Sequence, residues 1–436
     1  MRARTHFFQK ITSLVLLVAG IIFCPTHSWA FQEEEDTNDF NQYRGEVVDE
    51  SSNKPLVFAT ISVEGTNIST ITNTEGDFLL KVPKDIDIAT GNVIVSFLGY
   101  KSKTIPLLQF QPEGNTIALL VSVTQLSEIN INAPKDAKAL VKETFAKKGE
   151  NYFNDLTLMT AFYRETIKKR RRNVSLSEAV VSVYKTPYNS TRNDALELYK
   201  ARKSTDYSKL DTVALKLQGG PFNTLYVDIM KYPEYIFAEG SIDDYTFSFD
   251  RSTRINDRLI YVIKFNQLET IMDPLYGGEL FIDVENKTLT SAIYNLNITD
   301  KDAAARLFVR RKPIGVDVWP TEVAYRVDYR EKGGKWYYGY SSVMMEFKVD
   351  WADKLFNSVY SMTAEMAITD WEKNETGQLP RNRERVKKSI ILSDEAVGFS
   401  DPDFWGEYNI IEPEKSIESA IRKIQRQLRR SQRNSK

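Results

Sequence analysis

Histidine and cysteine, the side chains most often used in catalysis, occur only near the amino terminus of this sequence. The complete set is His6, Cys24 and His27. The same stretch has a basic start, an apolar run over 11–24 and small residues at 28 and 30, which predicts a signal peptide cleaved after Ala30. The mature chain would then have no imidazole and no thiol. This excludes Ser-His-Asp triads, Cys-His nucleophiles and zinc sites built from His or Cys, including that of a zinc carboxypeptidase.

Carboxylates are the main chemistry that remains. Neighbouring acids occur at Asp243 with Asp244, Asp300 with Asp302, and Asp401 with Asp403. A glycosidase-like hydrolase needs two carboxyl groups about 5 to 10 Å apart, one of them with a raised pKa. A chain with 59 Asp and Glu residues supplies close pairs by chance. We therefore expect no catalytic residue, no resident metal and no cofactor, and we keep the hydrolase as the alternative.

The charge balance argues against a nucleic-acid partner. The chain has 58 Lys and Arg residues against 59 Asp and Glu residues, so no overall basic field would attract a phosphate backbone. Basic residues are concentrated in the run 168–172 and in the tail 422–436. The run 168–172 fits either a polybasic membrane patch or a charged hairpin tip, and we expect the hairpin tip.

Short apolar runs separated by turn residues fill residues 43–132 and predict a small antiparallel β-sandwich. The expected strands include 45–49, 58–63, 70–72 and 78–82. Gly76 lies in a turn that favours a positive φ. The same turn contains Asn73, Glu75 and Asp77, for which a calcium loop is the alternative to a plain turn.

The sandwich segment carries the pattern of a known family. The matching residues are Gly45, Val47, Asp49, Pro55, Leu56, Ala59, Ile61, Val63, Gly65, Thr66, Thr70, Thr72, Gly76, Phe78, Val95, Ser96, Gly99 and Tyr100. On these residues the segment resembles the carboxypeptidase regulatory-like domain, a transthyretin-like sandwich of cell-envelope proteins of Bacteroidota. The resemblance implies a module without catalytic residues and a location in the envelope.

A connecting helix over 133–152 and a larger antiparallel β domain over 153–410 are predicted next. The expected strands are 156–167, 174–184, 245–249, 259–265, 279–284, 290–297, 322–329, 336–347 and 359–369. Their succession favours a β-meander or an open half-barrel. The segment 276–283 is also similar to strands in the open half-barrels of periplasmic lipoprotein carriers.

The first expected hairpin of this domain predicts one specific contact. If 170–172 form a three-residue loop, residues whose numbers sum to 342 face each other, which places Arg164 opposite Glu178. We interpret this pair as structural, because ion pairs perturb pKa values far more often than they catalyse.

A row of aromatic residues is the second feature of this domain. Trp336, Tyr338 and Tyr340 alternate along one expected strand and would share one face of the sheet. Such a face serves either a ligand or the core, and we expect the core.

The two ends of the chain differ in charge. Residues 31–42 form an acidic linker, and 411–436 a basic amphipathic helix and tail. The helix would dock on the β domain, on anionic lipid or on a partner, and we expect docking on the β domain, with peripheral membrane contact through 414–436 as an alternative.

These features together predict a mainly β, non-catalytic protein. The signal peptide would deliver it to the periplasm or the outer-membrane periphery. Its partner would be an envelope protein, a lipid or a glycan, and the sequence does not distinguish among them.

Overall fold

The computed structural model describes residues 39–124, 136–170, 172–205, 218–237, 241–255, 258–309, 312, 314–353, 355–398 and 404–414. The expected signal segment 1–30 and residues 415–436 of the expected carboxyl-terminal helix lie outside these ranges. In the described residues, no helix is long and apolar enough to cross a bilayer.

Seven strands form the amino-terminal sandwich. They are β1 (Phe40–Asp49), β2 (Thr60–Val63), β3 (Ser69–Ile71), β4 (Asp77–Pro83), β5 (Asn92–Ser96), β6 (Lys103–Pro106) and β7 (Asn115–Leu119). One sheet has the order β4-β1-β7 and the other β3-β2-β5-β6. Alternating residues of both sheets, such as Val47, Ile61 and Phe78, are fully or almost fully buried between them. The predicted sandwich is therefore confirmed.

Two details of the sandwich differ from the prediction. Strands β1 and β7 pair in parallel, whereas an antiparallel sandwich was expected. Strand β1 also begins at Phe40, which pairs with Pro83 of β4, so the end of the expected linker 31–42 belongs to the sheet. The alternation that marks a strand does not show the direction of its neighbour.

The connecting segment contains two short helices, α1 (Ala137–Ala146) and α2 (Lys148–Asn151), where one was expected. The side chain of Asp136 caps α1 by accepting a hydrogen bond from the N–H of Ala139 at 3.1 Å.

A twelve-stranded sheet forms the rest of the described chain. Its strands are β8 (Val123–Thr124), β9 (Thr157–Lys169), β10 (Arg172–Lys185), β11 (Ala195–Thr205), β12 (Tyr245–Ile255), β13 (Arg258–Gln267), β14 (Tyr276–Asp283), β15 (Leu289–Leu296), β16 (Val316–Lys332), β17 (Lys335–Trp351), β18 (Ser358–Lys373) and β19 (Val397–Gly398). The order is β19-β11-β10-β9-β18-β17-β16-β15-β14-β13-β12-β8. The expected open, largely antiparallel meander is confirmed.

The pairing of the strands does not follow the domain boundary that was expected at residue 132. Strand β8 precedes that boundary, yet it pairs with β12 of the large sheet. Three further helices, α3 (Phe222–Leu225), α4 (Lys301–Phe308) and α5 (Leu392–Glu395), interrupt the meander. Leu140 of α1 and Leu225 of α3 belong to the main hydrophobic core, together with residues from most of the long strands.

Residues 404–414 join the sandwich to the large sheet. Ile71 and Leu79 of the sandwich form one buried cluster with Phe162 of the sheet and with Trp405 and Ile410 of this segment. The described part of the expected helix over 411–436, residues 411–414, contains no helical turn. The carbonyl groups of Ile411 and Glu412 accept hydrogen bonds from Arg164 of the large sheet, and that of Glu412 also accepts one from Asn73 of the sandwich.

Candidate functional site

A cleft of about 420 Å³ lies between the sandwich and the large sheet. One wall is the sandwich sheet β3-β2-β5-β6, and the other is mainly β16. This volume falls in the usual range of ligand sites, roughly 300 to 1,000 Å³, and such sites are common at domain boundaries.

The sandwich wall of the cleft is rich in hydroxyl groups. In β2, Ile61 and Val63 are buried in the sandwich core, so the alternating Thr60 and Ser62 point to the other face. Ser96, Ser102 and Thr104 extend this wall, and Phe58, Ile94 and Phe97 add apolar surface. The wall can therefore hydrogen-bond to a polar ligand and also pack against its carbon skeleton.

The opposite wall carries alternating charges on β16: Arg326, Asp328, Arg330 and Lys332. The Nε atom of Arg326 donates to Oδ2 of Asp328 at 2.7 Å, and the hydroxyl of Ser291 donates to Oδ1 of Asp328 at 2.5 Å. Burial lowers the pKa of Lys332, whose Nζ donates to the carbonyls of Gly65 and Thr66 and to Oδ1 of Asn67 at 3.1, 2.8 and 2.9 Å. This row therefore contains three cationic side chains and one acidic side chain.

Arg330 is the residue of this row whose hydrogen bonds are incomplete. Its Nη1 donates to the carbonyl of Ile368 at 2.8 Å and to the hydroxyl of Ser69. Its Nη2 is buried and has no acceptor in good hydrogen-bond geometry among the described residues; burial lowers the pKa of the side chain, and the nearby Tyr337 side chain opposes that shift in part. A buried donor without an acceptor is costly, so Arg330 offers a hydrogen bond to whatever enters the cleft.

The Arg164 and Glu178 side chains meet on neighbouring strands. The register of β9 and β10 places Arg164 opposite Glu178, and their side chains form a buried ion pair at 2.7 Å. Arg202 of β11 contacts the other carboxylate oxygen at 2.8 Å. Burial by itself would raise the pKa of Glu178, but the two guanidinium groups outweigh it and hold the pKa below its usual value. Arg164 also donates to the carbonyl of Ile411 at 2.6 Å and so anchors residues 404–414.

The hairpin tip differs from the expected three-residue loop 170–172. Arg172 already pairs with Lys169, and the register shifts between Asn173 and Ser175. The bulge restores the register that a three-residue loop would have given, so Arg164 still faces Glu178.

A second buried charge cluster contains Lys185, Asp194 and Asp228. The Nζ atom of Lys185 lies 2.5 Å from Asp194 and 2.6 Å from Asp228. The hydroxyls of Tyr188 and Tyr329 donate to Asp228 at 3.0 and 2.9 Å. Burial opposes the charge of Lys185, but the two carboxylates outweigh it and raise its pKa. Both carboxylates contact Lys185, and Asp228 also accepts two tyrosine hydroxyls, so the charged groups of this cluster are engaged with one another, which favours a structural role.

Glu165 is a buried acid that forms no ion pair among the described residues. The Tyr163 hydroxyl donates to its carboxylate at 2.9 Å. Burial raises the pKa of Glu165 to about 7. Its protonation is therefore sensitive to pH near neutrality.

The expected aromatic face of Trp336, Tyr338 and Tyr340 is not formed. All three side chains are buried, but Tyr338 packs near Lys185, whereas Tyr340 packs on Phe58 of the sandwich at 5.0 Å between ring centroids. The register of β16 and β17 shifts between Asp328 and Tyr329, and this bulge turns Tyr340 to the opposite face.

Two of the acid pairs considered from the sequence, Asp243 with Asp244 and Asp300 with Asp302, are not among the residues that line the cleft. Asp243 forms exposed ion pairs with Lys138 and Lys142 at 2.9 and 3.4 Å. Asp300 caps α4 by accepting hydrogen bonds from the N–H groups of Asp302 and Ala303. Asp401 and Asp403 lie outside the described residues.

The turn at Asn73 is built by its own side chain. Its Oδ1 accepts the N–H groups of Glu75 and Asp77, both at 2.9 Å. Its Nδ2 donates to the carbonyl of Glu412 at 3.1 Å. These bonds fit a turn that also contacts residues 404–414, and no group of potential metal ligands occurs in the described part of the chain.

The charged row of the cleft was not predicted from the sequence. A partial signal was present, because Arg326 and Asp328 alternate on the expected strand 322–329, and Arg330 and Lys332 continue the alternation just beyond its expected end. Such a row is usually solvated, and only the packing of the sandwich over β16 half-buries it. Lys185, Asp194 and Asp228 are far apart in the sequence, and no spacing rule connects them.

Residues 43–131 match the family model of the CarboxypepD_reg-like domain. This confirms the resemblance inferred for the sandwich, which belongs to that family. The match covers the sandwich and not the large sheet. No curated protein matches the chain.

Several solved structures show a distant likeness to this chain. A putative outer membrane lipoprotein-sorting protein domain from Vibrio parahaemolyticus is 11% identical over 56% of this chain and 94% of its own, with a TM-score of 0.23. A DUF1329 family protein from Desulfovibrio piger is 8% identical over 55% and 95%, with a TM-score of 0.25. A LolA superfamily protein from Nitrosomonas europaea is 9% identical over 59% and 100%, with a TM-score of 0.20. Likenesses this distant carry no argument about the ligand.

Proposed function

We propose that the protein is a non-catalytic binding module of the cell envelope whose cleft holds a ligand with an anionic group and several hydroxyl groups. The observation that carries the proposal is the buried, unpartnered Nη2 of Arg330 in a wall with three cations. Arginine binds carboxylate and phosphate groups through its planar fork of donors. The hydroxyl groups of Thr60, Ser62 and Thr104 face this row across the cleft and complement a polyhydroxylated ligand.

The absence of catalysis is part of the proposal and rests on the acids near the cleft. Both oxygens of Asp328 are engaged, by Arg326 and by Ser291. Glu331 accepts the N–H of Gly334 at 2.5 Å and lies 3.7 Å from Arg258. A general acid with a raised pKa would need a carboxyl group that is free of cations.

Two envelope components have the required chemistry: an acidic glycan and the headgroup of an anionic phospholipid. Calorimetric titration of the mature protein with a uronic-acid oligosaccharide, with short-chain phosphatidylglycerol and with inorganic phosphate distinguishes them. We expect one of the two organic ligands to bind. Arg330→Gln should weaken that binding by roughly tenfold or more, because a hydrogen bond to a charged group is lost.

Thr104→Val tests the hydroxyl wall with little risk to folding, since Thr104 is exposed on β6. Thr246→Val, on the exposed part of β12 and outside the cleft, is the matched control. The proposal fails if neither organic ligand binds, or if Arg330→Gln and Thr104→Val bind like the control.

A further inference from the structure

Three chain segments meet at one end of five neighbouring strands of the large sheet. The strands are consecutive in the order β10-β9-β18-β17-β16. The segments are the β9–β10 turn, the β17–β18 turn and the connection from α4 to β16. The N–H of Arg170 donates to the carbonyl of Val359 at 2.8 Å, and that of Ala352 donates to the carbonyl of Gly315 at 2.9 Å. These bonds hold the three segments side by side.

Large apolar side chains protrude from two of these segments. Leu307 is 56% exposed, Ile314 105%, Leu355 94% and Phe356 78%. Isolated exposed apolar residues are ordinary, but a group of four at one end of a sheet marks an interaction surface. Ile314, Leu355 and Phe356 project from connections between strands or helices and Leu307 from the last turn of α4, so they form protruding tips rather than a groove. Protruding apolar tips suit insertion into a lipid acyl layer better than packing against a second rigid protein.

The same segments are strongly basic. The described basic residues of these segments and of the end of α4 are Lys168, Lys169, Arg170, Arg172, Arg306 and Lys312, of which Lys168 pairs with Glu414, and Asp353 is the single described acid in 168–172, 306–315 and 352–357. Arg170, Arg172 and Arg306 are exposed, while Lys312 pairs with Asp317 at the start of β16. Apolar tips flanked by cations complement an anionic membrane surface, where lipid acyl chains lie beneath negative headgroups.

We propose that this end of the sheet, defined by Leu307, Ile314, Leu355, Phe356, Arg170 and Arg172, docks the protein on an anionic lipid membrane. It is separate from the cleft, so membrane docking and ligand binding are tested independently. The basic run 168–172, which we expected to be only a hairpin tip, then contributes both the tip and part of the lipid contact.

Co-sedimentation of the mature protein with vesicles tests this proposal. Vesicles of phosphatidylcholine with about one third phosphatidylglycerol should bind the protein, and pure phosphatidylcholine vesicles should bind it much more weakly. Leu355→Ser with Phe356→Ser should weaken binding by at least about tenfold, because two large apolar side chains are lost. Arg170→Ser with Arg172→Ser should weaken it by about fivefold per charge at low salt.

Controls use residues elsewhere on the surface. Met272→Ser removes an apolar side chain that is 84% exposed, and Lys54→Ser with Lys101→Ser removes two exposed charges of the sandwich. These variants should bind like the unmodified protein. The proposal is overturned if no vesicles bind, or if the turn variants bind as well as the controls. It is also overturned if the turn variants only abolish self-association in sedimentation velocity, since the surface would then contact a second copy.

Discussion

The side chain of Arg330 lies across Gly339 on the neighbouring strand. A Cβ atom added at Gly339 would come within 2.7 Å of Cγ and 3.0 Å of Cδ of Arg330. Gly339 occupies the bulge between the pairs Tyr329–Tyr338 and Asp328–Tyr340. The absence of a side chain at 339 therefore lets Arg330 lie flat against the sheet and places its guanidinium group in the cleft wall.

Gly339→Ala should displace Arg330. We expect a loss of about 1 to 3 kcal/mol in the free energy of unfolding, as for other overpacked positions, and weaker binding of the cleft ligand. Chemical denaturation measures the first effect. In an Arg330→Ala background the same substitution should cost much less, because the clashing atoms are gone. Equal costs in both backgrounds would show that the two residues do not interact.

Glu178→Ala should destabilise the protein strongly. It removes the buried carboxylate that contacts both Arg164 and Arg202, and Arg164 keeps only the longer contact of 3.5 Å to Glu365; removing one partner of a buried ion pair typically costs about 3 to 5 kcal/mol. Thermal and urea unfolding measure the loss. Asp155→Ala breaks the exposed pair with Lys373 and should change stability by less than about 1 kcal/mol. A folded Glu178→Ala protein that has lost a measurable hydrolytic activity would instead refute the non-enzymatic proposal.

Lys185→Met should destabilise the protein about as strongly as Glu178→Ala, but by removing a buried cation instead of a buried carboxylate. It leaves the carboxylates of Asp194 and Asp228 buried near each other without the ammonium group that contacts both of them. Adding Asp194→Asn should restore part of the lost stability, because one of the two uncompensated charges is removed. Urea unfolding of the single and double variants measures this coupling, and a double variant less stable than Lys185→Met would contradict it.

Glu165 should make stability fall as the pH rises from about 4.5 to 7. Its pKa in the folded protein is about 7, above the ordinary value of 4.5, mainly because of burial. Between these values the folded state holds a proton that the unfolded state has released, so raising the pH favours unfolding. At about 1.4 kcal/mol per pKa unit the loss is roughly 3 kcal/mol, complete above pH 7.

Glu165→Gln removes this titration. Urea unfolding at a series of pH values should show a shallower decline between pH 4.5 and 7 for the variant than for the unmodified protein. Parallel pH profiles would mean that the Glu165 carboxyl group titrates at the same pH in both states.

The alternation of apolar and polar residues along the sequence was enough to predict the β-meander. The strands from β12 to β18 alternate or run apolar over most of their length, and turn residues separate them. Strand β11 was missed because charged residues occupy several of its positions, among them Glu197, Lys200 and Arg202. Arg202 is buried there only because Glu178 accepts its hydrogen bonds, and that partner is supplied by tertiary structure.

The candidate site was harder to predict, for two physical reasons. The bulge at Gly339 places the side chain of Tyr340 on the opposite face of the sheet from Tyr338. The alternation of residue types along the strand does not reveal where such an extra residue is inserted. The cleft exists because residues 404–414 hold the sandwich against the sheet. Asn409, for example, binds both the N–H and the C=O of Lys81, at 2.7 and 2.9 Å, across 328 residues of sequence.

The most direct test of the binding proposal is a crystal structure of the protein with whichever organic ligand binds in the calorimetric titration. We predict that the ligand lies between β2 and β16, with an anionic oxygen about 2.8 Å from Nη2 of Arg330 and hydroxyl groups near Ser62 and Thr104. A ligand bound elsewhere, or bound in the cleft with Nη2 of Arg330 still unpartnered, would contradict the proposal.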